Sequence, residues 1–357
     1  ACAATADAGA RLACFDRWAQ GQKAKAWIPD QVRDDSGGGL RAGGLRAGGV
    51  RAGGVRAEPV AAPRAPVMTS AEGCHDQKYS GLSRFWELEA GSDCSTFGIR
   101  GYRPISLSVV TANNVNNEPT SGNPLNTSDT LQSYRPAETR LQLSVRTKLA
   151  QNLLTGGKGS ANDSLWFGYT QQSYWQVFNG AISRPFRTTD HEPELIYVYP
   201  TDYTLPAGWR LRYSGLGLVH QSNGQALPLS RSWNRVYLMA GMEHGARFTL
   251  QARAWKRLPD SSDDNPGISD YIGRGEVIGS WAANRQNVFT ATVRSSLNHF
   301  GRGSVRLEWL RALGNDSNGA PAGLRLHTQL FSGYGDSLID YNNRRTVLSV
   351  GLSLVDW

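Results

Sequence analysis

The chain has 357 residues, 38 of them basic and 30 acidic, for a formal net charge of +8, and this length holds one large or two small domains. Much of the basic excess lies in the N-terminal third. No run of about 18 apolar residues occurs, which excludes a transmembrane helix and an uncleaved signal peptide but not a transmembrane barrel, whose alternating residues average to a polar composition.

Residues 1–20 read as a short cysteine-containing helix, with Leu12, Phe15 and Trp18 at helical spacing and Asp7 as N-cap. The first residue is Ala1, as expected of a chain whose export signal has been removed. Residues 21–72 read as a disordered linker. Four consecutive pentapeptides from Gly38 to Ala57 repeat Gly-Gly-Leu/Val-Arg-Ala, and Pro59, Pro63 and Pro66 keep the following chain extended. No aromatic residues interleave the four arginines for base stacking, so no nucleic-acid partner is expected. The four cysteines, Cys2, Cys14, Cys74 and Cys94, lie in the first quarter and show no zinc spacing. They suit Cys2–Cys14 and Cys74–Cys94 disulfides in an oxidising compartment, with other pairings left open.

Residues 73–357 form the main domain. Leu82-Ser-Arg-Phe-Trp-Glu-Leu reads as a short amphipathic element. Beyond Phe97 come segments of about ten residues with a period of two. At 139–149, Leu141, Leu143, Val145, Thr147 and Leu149 face one way, and Arg140, Gln142, Ser144, Arg146 and Lys148 the other. Cations on alternate positions would be costly in a sandwich core but line a polar lumen readily. The pattern returns at 246–256, 323–330 and 344–356. Twelve segments are counted, near 97–113, 139–149, 163–175, 191–200, 208–222, 234–243, 246–256, 271–281, 286–297, 301–311, 323–333 and 344–356. They predict an all-β fold, a twelve-stranded antiparallel transmembrane β-barrel with both termini at one end and the odd-to-even connections at the other. Trp166, Tyr174, Trp175 and Trp281 are expected at the membrane interfaces, and Trp357 ends the sequence directly after a strand.

The stretch 218–235 carries the chemistry. His220 and Ser222 project from one face of a strand together with Leu216 and Leu218. After a loop marked by Gly224 and Pro228, Asn234 begins a strand whose face continues through Val236 and Leu238. If the strands are neighbours, a hydroxyl, an imidazole and a carboxamide converge on an apolar surface, the set that nucleophilic acyl transfer needs. A bare His-x-Ser occurs by chance in many chains, so the weight falls on the whole stretch.

His-Gln-Ser-Asn-Gly followed by Leu-Ser-Arg-Ser-Trp-Asn-Arg resembles the active-site segment of the outer-membrane phospholipase A family. The likeness spans roughly 95–357. It includes Tyr169-Thr-Gln-Gln-Ser-Tyr-Trp-Gln, Pro185-Phe-Arg-Thr-Thr-Asp-His-Glu-Pro-Glu, Asp263-Asp-Asn-Pro and Ser332-Gly-Tyr-Gly-Asp-Ser-Leu-Ile-Asp-Tyr-Asn. The 1–20 string is also similar to a cysteine-helix module preceding the barrel in longer members. The resemblance implies a calcium-dependent, homodimeric hydrolase of glycerophospholipid acyl esters, with A1 and A2 activity, in the Gram-negative outer membrane. The N-terminal extension would then lie in the periplasm. Residue by residue it implies Ser222 as nucleophile, His220 as general base, Asn234 as the residue orienting His220, and the Gly224 N–H facing the oxyanion. It implies calcium held by the Ser230 hydroxyl, the Gln225 carbonyl and, across the dimer, the Ser183 carbonyl, with Gln171 at the dimer interface. The chain departs from the family in Gln225, where arginine is common, and in Leu227, where an aspartate would pair with Asp264 in a second calcium site. The competing expectations are a catalytically silent barrel acting as a narrow channel or adhesin, and a protease using Asp263 and Asp264. The second is set aside because these aspartates suit a turn before Pro266.

Overall fold

The computed structural model describes residues 73–157, 161–184, 186–299, 301–315 and 322–355. The predicted 1–20 helix, the Cys2–Cys14 pairing, the 21–72 linker and Trp357 lie outside the described residues.

One antiparallel sheet accounts for nearly all of the regular structure, and it closes on itself. Strand β1 comes in two pieces, Ile99–Gly101 and Ile105–Ala112, interrupted at Pro104, which has no N–H for the ladder. Both pieces pair with β2, Ala137–Gln151. There follow β3 (Ser164–Trp175), β4 (Phe186–Thr204), β5 (Trp209–Ser222) and β6 (Ser232–His244). The remaining strands are β7 (Phe248–Leu258), β8 (Gly275–Ala282), β9 (Asn287–Ser295), β10 (Gly303–Ala312), β11 (Leu324–Gly333) and β12 (Arg345–Leu354). Each pairs with its sequence neighbour, and β12 pairs with β1 (Val350↔Val109), closing a twelve-stranded barrel. The predicted class and strand count hold. The largest boundary difference is β4, which begins at Phe186 rather than 191 and runs through Pro193.

The alternation sorts as expected. On β2 the side chains of Arg140, Ser144, Arg146 and Lys148 are buried inside, while Leu141 and Leu143 are exposed outside; on β12, Ser349 and Ser353 are inside and Leu348, Val350, Leu352 and Leu354 outside. The outer wall is therefore an apolar belt. Two expected interfacial aromatics do not belong to it. Trp166 and Tyr174 are fully buried, because even-numbered positions of β3 face inward; Trp175 and Trp281 do face outward.

Helix α1, Gly81–Trp86, is the amphipathic element read in the sequence. Ser80 caps its N-terminus by accepting from the Ser83 N–H. It lies against the inner wall, where the Trp86 ring meets Trp166 and Tyr213 edge-on at 5.9 and 5.8 Å. Its Leu82 N–H donates to Glu243, and Glu87 beyond its end pairs with Lys148 and Arg100. The Cys74–Cys94 disulfide forms as one of the expected pairings and ties this segment together. The opposite end carries the odd-to-even connections, which brace one another: Ser121 donates to the Asp264 carbonyl, Asn126 to Ser230 and Arg231 to Thr120.

Candidate active site

The site forms where β5 ends and β6 begins. The register pairs His220 with Asn234 and Ser222 with Ser232. Leu216, Leu218 and Leu238 on the same faces are 47%, 50% and 66% exposed, whereas Val219, Trp233 and Tyr237 on the opposite faces are buried. Parity thus places His220, Ser222 and Asn234 on the outer, apolar wall.

The His220 Nδ1 lies 2.8 Å from Asn234 Oδ1. A carboxamide oxygen only accepts, so Nδ1 carries the ring proton and Nε2 keeps its lone pair. Ser222 stands two residues along the same face, and no hydrogen bond joins it to His220 among the described residues; such bonds commonly tighten only around substrate. On its other side Ser222 pairs with His191 of β4. The loop 223–231 is pinned to itself: the Asn223 N–H donates to the Arg231 carbonyl at 3.0 Å, and the Arg231 N–H donates to Asn223 Oδ1 at 2.9 Å. Gly224 adopts φ +62°, which favours glycine, and a Cβ there would lie 3.9 Å from His191 Nε2.

The expected cation ligands divide between two loops. Gln225 and Ser230 share loop 223–231, and the Gln225 Oε1 is buried with no hydrogen-bond partner among the described residues. The Ser230 hydroxyl donates to Asp264 Oδ2 at 2.7 Å, and Ser232 approaches the same oxygen at 3.3 Å. Ser183 sits on the β3–β4 loop, its carbonyl accepting from the Trp175 indole at 2.6 Å. Asp263 is engaged by Arg257. Gln171 faces outward, between Phe167 and Trp175 in parity; its Oε1 accepts from Tyr169, whose hydroxyl also lies 2.7 Å from His191 Nδ1.

Two side chains of this wall escaped the sequence reading. His191 was visible only as part of the Asp-His-Glu-Pro block. Asp260 lies 2.6 Å from Asn234 Nδ2; the signal that would have found it is the register Asn234↔Leu258, which puts position 260 on the same side of the chain.

The sequence profile of the family described as Phospholipase A1 matches residues 82–354. The chain belongs to that family. A relative from Neisseria meningitidis serogroup B is 38% identical over 287 residues, covering 78% of this chain and 71% of its own length. Phospholipase A1 of Escherichia coli K12 is 34% identical over 236 residues, 64% of this chain and 73% of that protein. Among solved structures, outer membrane phospholipase A from Escherichia coli superposes with a TM-score of 0.63 at 32% identity, over 72% of this chain and 94% of that one. The Salmonella typhi outer membrane phospholipase, solved as a dimer with bound calcium, gives 0.62 at 33% identity, over 73% and 93%. The family to which the sequence motifs pointed is thus the family to which the chain belongs.

Proposed function

We propose that the chain hydrolyses acyl ester bonds of glycerophospholipids, at both the A1 and A2 positions, from the outer wall of a barrel in the Gram-negative outer membrane. The observation that carries this reading is the 2.8 Å bond between His220 and Asn234 on an apolar face two residues from Ser222. Ser222 Oγ attacks the ester carbonyl while His220 Nε2 takes its proton, and the imidazolium so formed is held by Asn234. The Gly224 N–H faces the carbonyl oxygen as negative charge grows there. His220 then returns the proton to the departing glycerol oxygen. A water deprotonated by His220 releases the fatty acid and restores Ser222. An amide orients the imidazole without placing a full charge against it, which suffices for ester substrates.

Calcium fits the donors present: the Ser230 hydroxyl, the Gln225 carbonyl and the Gln225 Oε1, which has no hydrogen-bond partner among the described residues, are all oxygen, as a hard cation requires. When bound, it supplies positive charge beside the developing oxyanion. The Ser183 carbonyl would complete the set from a second copy in a homodimer, with Gln171 at the interface; that the Salmonella typhi relative was solved as a dimer with bound calcium supports the dimeric, calcium-binding part of this reading. The Leu227 side chain offers no ligand atom, which leaves Asp264 without the acidic partner of a second calcium site. Asp264 instead accepts from Ser230. The N-terminal extension, residues 1–72, lies on the periplasmic side in this reading. A silent channel fits less well, because α1 and its ion pairs occupy the inner wall.

The test is fatty-acid release in detergent–phospholipid micelles, with calcium and with chelator, for wild type and Ser222→Ala. Calcium-dependent release that vanishes in the variant supports the reading. Release that survives Ser222→Ala removes Ser222 as the nucleophile, and an inactive, calcium-loaded wild type favours the silent barrel.

A further inference from the structure

The two ends of the Asn234 carboxamide are alike in shape and opposite in chemistry. Only with Oδ1 toward His220 does the ring keep its proton on Nδ1 and its lone pair on Nε2. Turned over, the amide would set Nδ2–H against Nδ1–H and drive the ring to the tautomer that cannot accept a serine proton. An asparagine in this role therefore needs something that an aspartate would not: a group that fixes which end faces the imidazole.

The folded chain provides one. Nδ2 donates to Asp260 Oδ1 at 2.6 Å. A carboxylate only accepts, so it would repel the oxygen that a turned-over amide presents to it. Asp260 reaches this place by register. Asn234 pairs with Leu258, the last residue of β7, and Asp260 follows two positions later on the same side of the chain. Its side chain is 19% exposed, and Arg257 stands 3.8 Å from its second oxygen. Arg257 also bonds Asp263 at 2.5 Å, which holds the turn that carries Asp260.

We infer that Asp260 is a positioning residue of the proposed triad, fixing the Asn234 amide and, through it, the His220 tautomer. This rests on the Ser222–His220–Asn234 reading above. The property required at position 260 is an acceptor oxygen aimed at Nδ2. With Arg257 nearby to offset the carboxylate, its charge is secondary, so a carboxamide that presents its oxygen fulfils the role.

The experiment compares full-length wild type, Asp260→Ala, Asp260→Asn, Asn234→Ala and the Asn234→Ala/Asp260→Ala double variant, all calcium-loaded in phospholipid micelles. The readouts are kcat, KM and the rate at which a sulfonyl fluoride modifies Ser222, with barrel folding checked by heat-dependent gel migration. Loss of one hydrogen bond to a charged acceptor predicts that Asp260→Ala lowers kcat about tenfold, with KM within about twofold. Asp260→Asn is expected to recover kcat to within about threefold of wild type. In the Asn234→Ala background Asp260→Ala has no further effect on kcat or labelling, since no amide remains to be fixed. Wild-type kcat in folded Asp260→Ala overturns the inference. So does a loss that Asp260→Asn fails to rescue, or one that persists undiminished without Asn234. Failure of the triad reading announces itself separately, as hydrolysis that survives Ser222→Ala, and the inference then falls with it.

Discussion

On their inner wall, β5 and β6 present Val219, Tyr237 and Arg235 to a lumen crowded with charge; on their outer wall the same strands present Leu216, Leu218 and Leu238, then His220, Ser222 and Asn234 near the rim. Inside, many of the charges stand beside an opposite one. Glu194 accepts from Tyr237 at 2.8 Å and from Arg103 at 3.2 Å, with Arg253 at 3.6 Å. Outside, the polar groups of the site are mostly neutral and form a short chain, from His220 through Asn234 to a single carboxylate at its far end. The difference follows from what each wall meets. A lumen tolerates ions that are paired, whereas an apolar surroundings penalises each unpaired one. The inner wall is thus read as architecture and the outer rim as chemistry, and substitutions should separate the two.

The largest expected effect is on the outer wall. His220→Ala removes the proposed base and is predicted to lower kcat about 10⁴-fold with the barrel still folded, as judged by heat-dependent gel migration beside the activity assay. The inner wall should respond in the opposite sense. Glu194→Ala removes the acceptor of Tyr237 and one of the carboxylates beside Arg103 and Arg253, and is expected to lower unfolding stability by about 3 kcal/mol in urea titrations, while kcat per folded molecule stays within about twofold. A loss of turnover without a loss of stability would break the comparison. Asn234→Ala comes next, with a drop in kcat of about 10²-fold and an unchanged denaturation midpoint.

The smallest effect concerns the braced end. Asp340 lies in the loop between β11 and β12, and burial disfavours its charge, yet Arg187 and Arg345 beside it hold its carboxyl down at about 2. A carboxyl lowered on folding contributes stability above its unfolded value near 4. That contribution, on the order of 2 kcal/mol, fades as the pH falls toward 2. Thermal melting across pH 5 to 2 should therefore show a steeper loss for wild type than for Asp340→Asn.

Much of this was legible in the sequence because one property, parity, governs a barrel. Arg140, Arg146 and Lys148 alternating with Leu141 and Leu143 fix both the strand and its inward face. His220 and Ser222 share the parity of Leu216 and Leu218, so the outer position of the site follows from the same rule. Where parity was not applied, the reading failed. Trp166 and Tyr174 were assigned to the interfaces as aromatics near strand ends, although their even positions on β3 turn them inward. The lumenal place of α1 was hidden because six residues carry no signal of what they pack against; Trp86 finds Trp166 and Tyr213 only through closure of the sheet. Asp260 was hidden for a related reason. It lies 26 residues from Asn234, and only the pairing of β6 with β7 brings the two together.

The central claim is that Ser222, on the outer wall, is the nucleophile. Incubation of the folded, calcium-loaded protein with a long-chain alkyl sulfonyl fluoride, followed by peptide mass spectrometry, tests it most directly. The account predicts one adduct per chain, on Ser222, formed in step with loss of hydrolysis and absent from His220→Ala. Inactivation with the adduct on Ser230, Ser232 or another residue, and Ser222 unmodified, would contradict it.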